Sequence, residues 1–344
     1  MISIFMSGTV ALLVSGFGTP ILLRSLADRR IGQQIRKDGP AIHIVKEGTP
    51  TMGGIAIIVA ATAGYLVGHV GTSARFTWAG GFAMFALALA GAIGFADDWL
   101  KVRRQRSLGL NKRGKFFLQI LVGVGFALVA WHWAQANTVL SFTRASVPGV
   151  ALGTVLWVVW ATFITTAGAN AVNLTDGLDG LAAGSSAFTF SGLTLIGYWQ
   201  YRHVQIYHVH AALDLALVAI AMGGACVGFL WWNAAPARIF MGDTGSLAVG
   251  TALACLALEM NVQLLLPILG GLFVVVTLSV VIQVVSFHVF HTRIFRMAPI
   301  HHHFELAGWP ETTVIVRFWV FSALCTALGL GIFYADFLGV RSLL

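Results

Sequence analysis

WAGGFAMFALALAGAIGFADDWLKVRR, residues 78–104, decides the fold. Its first 19 residues, 78–96, carry no charge at all. A helix that crosses a bilayer needs roughly 20 mostly apolar residues. The run then stops on Asp97 and Asp98, followed at once by Lys101, Arg103 and Arg104. That is the profile of a membrane-spanning helix meeting water.

Working outward, the same kind of stretch recurs. Ten are expected, at about 2–23, 53–71, 78–96, 116–135, 150–171, 181–199, 211–232, 245–260, 264–290 and 314–338. The eighth is short and the ninth is long. The composition agrees: 58% of the 344 residues are hydrophobic and 10% charged, with a mean hydropathy of +0.84. A soluble domain carries about 25% charged residues. The apolar runs are continuous rather than alternating, which excludes a β-barrel. The expected fold class is all-α, a polytopic membrane protein of about ten transmembrane helices. The whole chain, 1–344, reads as a single integral-membrane domain. No nucleic-acid partner, disulfide scaffold or cysteine zinc site is expected, because Cys226, Cys255 and Cys325 all fall inside spans.

The charge is +8, from 21 Lys and Arg against 13 Asp and Glu. Placed on the ten spans, 17 of the 21 cations fall in alternate loops on one side. The positive-inside rule makes that side cytoplasmic and puts both termini outside. Ten of the 13 acids fall on the same side. Acids contribute little to orientation, so they need another reason.

Four strings carry that reason, each with a plainer alternative. Asp97 and Asp98 end a helix, against its macrodipole, so a cation should answer them; a solvated helix end is the alternative. In NAVNLTDGLDG, Asn170, Asn173, Asp176 and Asp179 recur every three residues, on roughly one face. Such oxygens suit Mg²⁺ or the polar groups of a nucleotide; an ordinary capped loop is the alternative. Asp243, in FMGDTGS, opens a helix and is either an N-cap or a holder of metal and phosphate. Phe240 precedes it by three and can stack a base. His301, His302 and His303 cannot all face one way, and histidine can donate to phosphate or move a proton. A fifth, weaker string, KEGTPTMGG, offers Lys46 and Thr51 to a phosphate without the spacing of a P-loop. All these clusters lie at one edge of the membrane. Phosphoryl transfer between a soluble and a lipid substrate needs that arrangement, because it depends on positioning and charge neutralisation.

From Lys46 to Trp319 the strings KEGTPTMGG, GFADDWLK, NAVNLTDGLDGLA, FLWWN, FMGDTGSL, PIHHHFE and GWPE…VRFW occur in order. Together they resemble the phospho-N-acetylmuramoyl-pentapeptide transferase family of bacterial wall synthesis, within the wider polyprenyl-phosphate sugar-1-phosphate transferases. PIHHHFE is the string most specific to that branch. The resemblance implies ten transmembrane helices, a cytoplasmic active site in a plasma membrane and a Mg²⁺ cofactor held by Asp243. It implies UDP-MurNAc-pentapeptide and undecaprenyl phosphate as partners in the bilayer, with lipid I and UMP as products. Asp97, with Asp98 beside it, would be the base or the carboxylate nearest the lipid phosphate, and His301 joins the catalytic set. Asn173, Asp176 and Asp179 would hold the uridine side, with Lys46, Thr51 and Phe240 assisting. His302 and His303 would face phosphates or the amino sugar, Lys101 and Lys115 the phosphates, and Asn170 and Asn233 would join the substrate-binding set. Trp99 departs from the Tyr expected after the Asp pair. A homodimer is compatible with such a bundle. Two rivals stay open: a sibling transferring another sugar-1-phosphate, such as GlcNAc-1-phosphate, and a secondary transporter.

Overall fold

The computed structural model describes residues 1–28, 48–70, 72, 74–104 and 109–341. Lys46, Arg29, Arg30, Arg36, Lys37, Arg106, Asp38 and Glu47 therefore lie outside the described residues.

Each expected span is largely helical. The helices are α1 (Ile2–Asp28), α2 (Gly54–His69), α3 (Trp78–Arg103), α4 (Lys112–His132), α5 (Gly153–Thr175), α6 (Leu181–Arg202), α8 (Ala212–Asn233), α9 (Gly242–Glu259), α11 (Gly271–Phe290) and α13 (Glu311–Arg341). Short helices α7 (Val204–Tyr207), α10 (Leu266–Leu269) and α12 (Ile300–Leu306) fill the connections. Among the described residues, seven helices are long and apolar enough to cross a membrane. Of the other three, α2 has 16 residues, and α6 and α9 are diluted by Ser, Thr, Gln and acidic residues. In α9 those polar groups face neighbouring helices: Thr244–Glu259 is buried throughout. Lipid-facing side chains are apolar instead, as at Trp231, Val155 and Phe163.

Two details depart from the expected pattern. The fourth and fifth spans are joined by an antiparallel hairpin, β1 (Val139–Arg144) and β2 (Val147–Ala151), so the chain is not wholly helical. Its Thr, Val and Phe alternate too briefly to stand out beside the spans. The ninth span, 264–290, is two helices. Gly270 separates α10 from α11, and Pro267 starts the shorter piece, where its missing N–H costs nothing.

Between α3 and α5, α9 forms the axis of the bundle, touched also by α2, α6 and α8. In lipid no hydrophobic force drives helices together, so close packing of small residues must. A side chain at Gly94 of α3 would strike the backbone of Asp243, and one at Gly54 of α2 that of Gly245. These two contacts press the ends of α2 and α3 onto the start of α9, and so bring the first two acids to the third.

The other end of the bundle is tied by neutral and ionic clamps. Asp214 at the start of α8 accepts from the backbone and hydroxyl of Thr77 at 2.7 and 2.6 Å and lies 3.0 Å from His69. Gln263 donates to Val139 and Ser141 of the hairpin, both at 2.7 Å, and Arg144 meets Asp336 at 3.2 Å. Asp214 thus joins three helix ends.

Candidate active site

Four elements converge at the start of α9. The last turns of α3 carry Asp97, Asp98 and Lys101 on one face, by the i, i+3 and i, i+4 rule. The first turn of α9 carries Asp243 and Thr244, the first turn of α4 carries Lys115, and the last turns of α5 carry Asn173. Oxygens of Asp97, Asp98 and Asp243 come within 4.8 Å of one another.

Three carboxylates so close repel strongly unless answered. Lys101 Nζ lies 2.6 Å from Asp97, 2.8 Å from Asp243 and 3.4 Å from Asp98. Lys115 Nζ lies 2.5 Å from Asp243 and 3.8 Å from Asp97. Asp98 Oδ2 accepts from the backbone N–H and hydroxyl of Thr244, at 3.0 and 2.8 Å. An acid from the negative end of α3 thereby caps the positive end of α9, which resolves the unfavourable placement read from the sequence. Asp243 is not the N-cap of its own helix; Met241 holds that place. Its side chain is free for the lysines and for Asn173, whose amide donates to Asp243 at 2.7 Å and to Ser246 at 2.9 Å. Asp97 accepts from Leu110 N at 2.8 Å, which seats the approach to α4 beside the acids.

Asp176 sits just past α5. Burial pushes its carboxyl up to about 8, the charges of Asp243, Asp98 and Asp179 add to this, and an N–H from Gly242 opposes it. Asp176 therefore holds its proton more firmly than a free carboxyl does.

The remaining candidates divide. Thr51 is buried with its hydroxyl against Gly242, beside the Asp98 carboxylate. Phe240 is half-buried at the same wall, held by backbone bonds to Pro50 (2.8 Å) and from Gly53 (2.9 Å). His301 is buried with its ring packed on Gly177 of the NLTDGLDG loop. Of the other two histidines, His302 packs its ring on that of His301, 4.3 Å between centroids, and meets Glu305 at 2.7 Å, while His303 accepts from Arg296 N at 3.1 Å. Asn170 donates to Gln119 and to Thr166 O, both at 2.8 Å, one turn deeper between α4 and α5. Asp179 and Asn233 brace the α8–α9 connection, Asp179 accepting from Ala237 N at 2.9 Å and Asn233 donating to Ile239 O at 2.8 Å. Sequence reasoning missed two hydroxyls, that of Thr244, which orients Asp98, and that of Ser246, which accepts from Asn173. Their signal was available in MGDTGS, where each lies within three residues of Asp243.

All-oxygen donors at this spacing fit a hard divalent cation such as Mg²⁺ and would hold it through Asp97, Asp98 and Asp243. Comparison with known proteins bears on the rest. A Glycosyl transferase family 4 model matches residues 81–261, from α3 through α9. Residues 46–58 match phospho-N-acetylmuramoyl-pentapeptide-transferase signature 1. The phospho-N-acetylmuramoyl-pentapeptide-transferases of Beutenbergia cavernae and Frankia casuarinae are each 49% identical to this chain, over 98% of it and 99% of their own length. That of Streptomyces griseus is 48% identical over 97% of this chain and 98% of its own. The chain belongs to the phospho-N-acetylmuramoyl-pentapeptide-transferase family. As a transferase of that family it is a multi-pass membrane protein, and the matched region contains all three acids. The family signature covers Thr51 and the glycines that dock on Phe240 and Met241.

Proposed function

We propose that the chain transfers phospho-MurNAc-pentapeptide from UDP-MurNAc-pentapeptide to undecaprenyl phosphate, giving lipid I and UMP, with Mg²⁺ as cofactor. The active site faces the cytoplasm from a bacterial plasma membrane. The observation that carries the reading is three carboxylates answered by two lysines at the mouth of a lipid-facing bundle. A soluble diphosphate and a lipid phosphate can both reach that place. The near-half identity with named transferases over almost the whole chain supports this substrate pair over a sibling sugar phosphate.

Asp97, Asp98 and Asp243 would hold the metal, which when bound supplies neutralisation of charge on the diphosphate. The chain's own groups do the positioning. Lys101 and Lys115 bind phosphate oxygens. Asn173 and Thr244 keep Asp243 and Asp98 in orientation. Phe240 offers its ring to the uracil, and Asp176 holds the uridine side. A lipid phosphate oxygen attacks the sugar-side phosphorus, a new P–O bond forms, and the bond to UMP breaks with its electrons leaving on UMP.

The decisive experiment offers purified protein UDP-MurNAc-pentapeptide or UDP-GlcNAc with undecaprenyl phosphate and Mg²⁺, and identifies the lipid product. Lipid I from the first alone is expected; a GlcNAc lipid would overturn the substrate assignment. Recovery of a phospho-aspartyl protein from the nucleotide substrate without lipid would replace direct displacement by a two-step route.

A further inference from the structure

One ammonium group touches all three carboxylates of the only three-acid cluster found among the described residues. Oxygens of a bound divalent ion such as Mg²⁺ lie about 2.1 Å from it. Lys101 Nζ, 2.6 to 3.4 Å from the same three side chains, stands in that space. Two cations cannot share one set of oxygens, because they would repel at contact distance in a half-buried setting. One has to leave. Lys101 can: its side chain is 31% exposed, and its four-carbon stem lets the ammonium swing outward while α3 stays packed. Lys115, 18% exposed and held mainly by Asp243, is less displaced by the same event.

We infer that Lys101 is an exchangeable counter-ion, displaced from the acid cluster when the divalent metal binds and thereby released to grip a substrate phosphate. The inference rests on the metal-dependent reading above. Its consequence is the loss of the cluster's negative charge. Three carboxylates against two ammonium groups leave the cluster one negative; a divalent ion in place of Lys101 makes it neutral, with the released ammonium beside it. Metal loading and phosphate binding are then coupled in that order, since an anion approaching the metal-free cluster meets net repulsion and an already occupied lysine.

The test uses Mn²⁺ as the probe and full-length protein in nanodiscs, without substrate. Mn²⁺ binding is followed by electron paramagnetic resonance for wild type, Lys101→Met and Asp243→Ala. In parallel, an amine-reactive label is read by peptide mass spectrometry at Lys101, with exposed Lys112 as the internal control. The expected results are Mn²⁺ affinity raised at least about tenfold in Lys101→Met, and labelling of wild-type Lys101 rising severalfold with Mn²⁺ while Lys112 stays constant. Both are required. An affinity within twofold of wild type overturns the exchange. So does a flat labelling profile, which remains decisive if Lys101→Met fails to fold. Failure of the underlying reading looks different: Asp243→Ala would then bind Mn²⁺ as well as wild type, or neither would bind it.

Discussion

Asp98 receives two hydrogen bonds on one oxygen, both from Thr244. The backbone donor survives every substitution but proline, whereas the hydroxyl can be removed by itself. Thr244→Val keeps the volume and removes one bond to a charged acceptor, worth about 1.5–3 kcal/mol. Turnover should fall about 10- to 100-fold, measured as lipid product formed at saturating substrates, while Thr244→Ser stays close to wild type. Asp176 makes a different kind of prediction. Its proton is held up to about pH 8 in the folded protein, whereas an unfolded Asp loses it near pH 4. Between those values the folded state binds more protons, so metal-free stability falls as pH rises. Asp176→Asn should flatten that slope, seen as a melting temperature less sensitive to pH from about 4 to 8 than that of the parent.

At the scale of elements, the site depends on how closely α3 approaches α9. Gly94→Val places atoms where the backbone of Asp243 stands. It should separate the Asp pair from Asp243, abolish detectable transfer and lower the melting temperature; a variant with wild-type activity would mean the two helices do not need this contact. The sequence made the spans and the acids readable, since an apolar run ending on Asp97 and Asp98 has few meanings. It did not make the pairing readable. Asn170 and Asn173 share a helical face, yet only Asn173 reaches Asp243, because Gln119 of α4 engages the other. Likewise the sequence leaves Asp243 open between an N-cap of α9 and a holder of metal and phosphate, and the capping carboxylate comes from Asp98 on α3. Spacing along one helix gives a direction; which neighbour lies there is settled by glycines on a different helix. The hairpin and the break at Gly270 escaped for a simpler reason, being short features beside long apolar runs.

For the whole molecule, the one-sided placement of 17 of 21 cations makes a test of orientation. Cysteines replacing Arg75 and Arg202 should react with an impermeant thiol reagent on intact spheroplasts. Cysteine in place of Arg113 should react only after permeabilisation. Native background is low, because Cys226 and Cys255 are buried and Cys325 is half-buried. The reverse pattern would invert the protein in the membrane.

The enclosure of α9 has a further consequence, and it concerns bilayer thickness. Outer helices adjust to a thinner or thicker hydrocarbon layer by changing tilt. The axial helix is shielded from lipid, so Asp243 keeps its place against α3. Lys115 rides on α4, which exposes Phe116, Phe117 and Leu121 to its surroundings. Reconstitution in short-chain lipids should therefore raise the KM for the anionic substrates while leaving the affinity for Mn²⁺ almost unchanged. The membrane's own dimensions tune how firmly phosphate is held, and leave the three carboxylates in register.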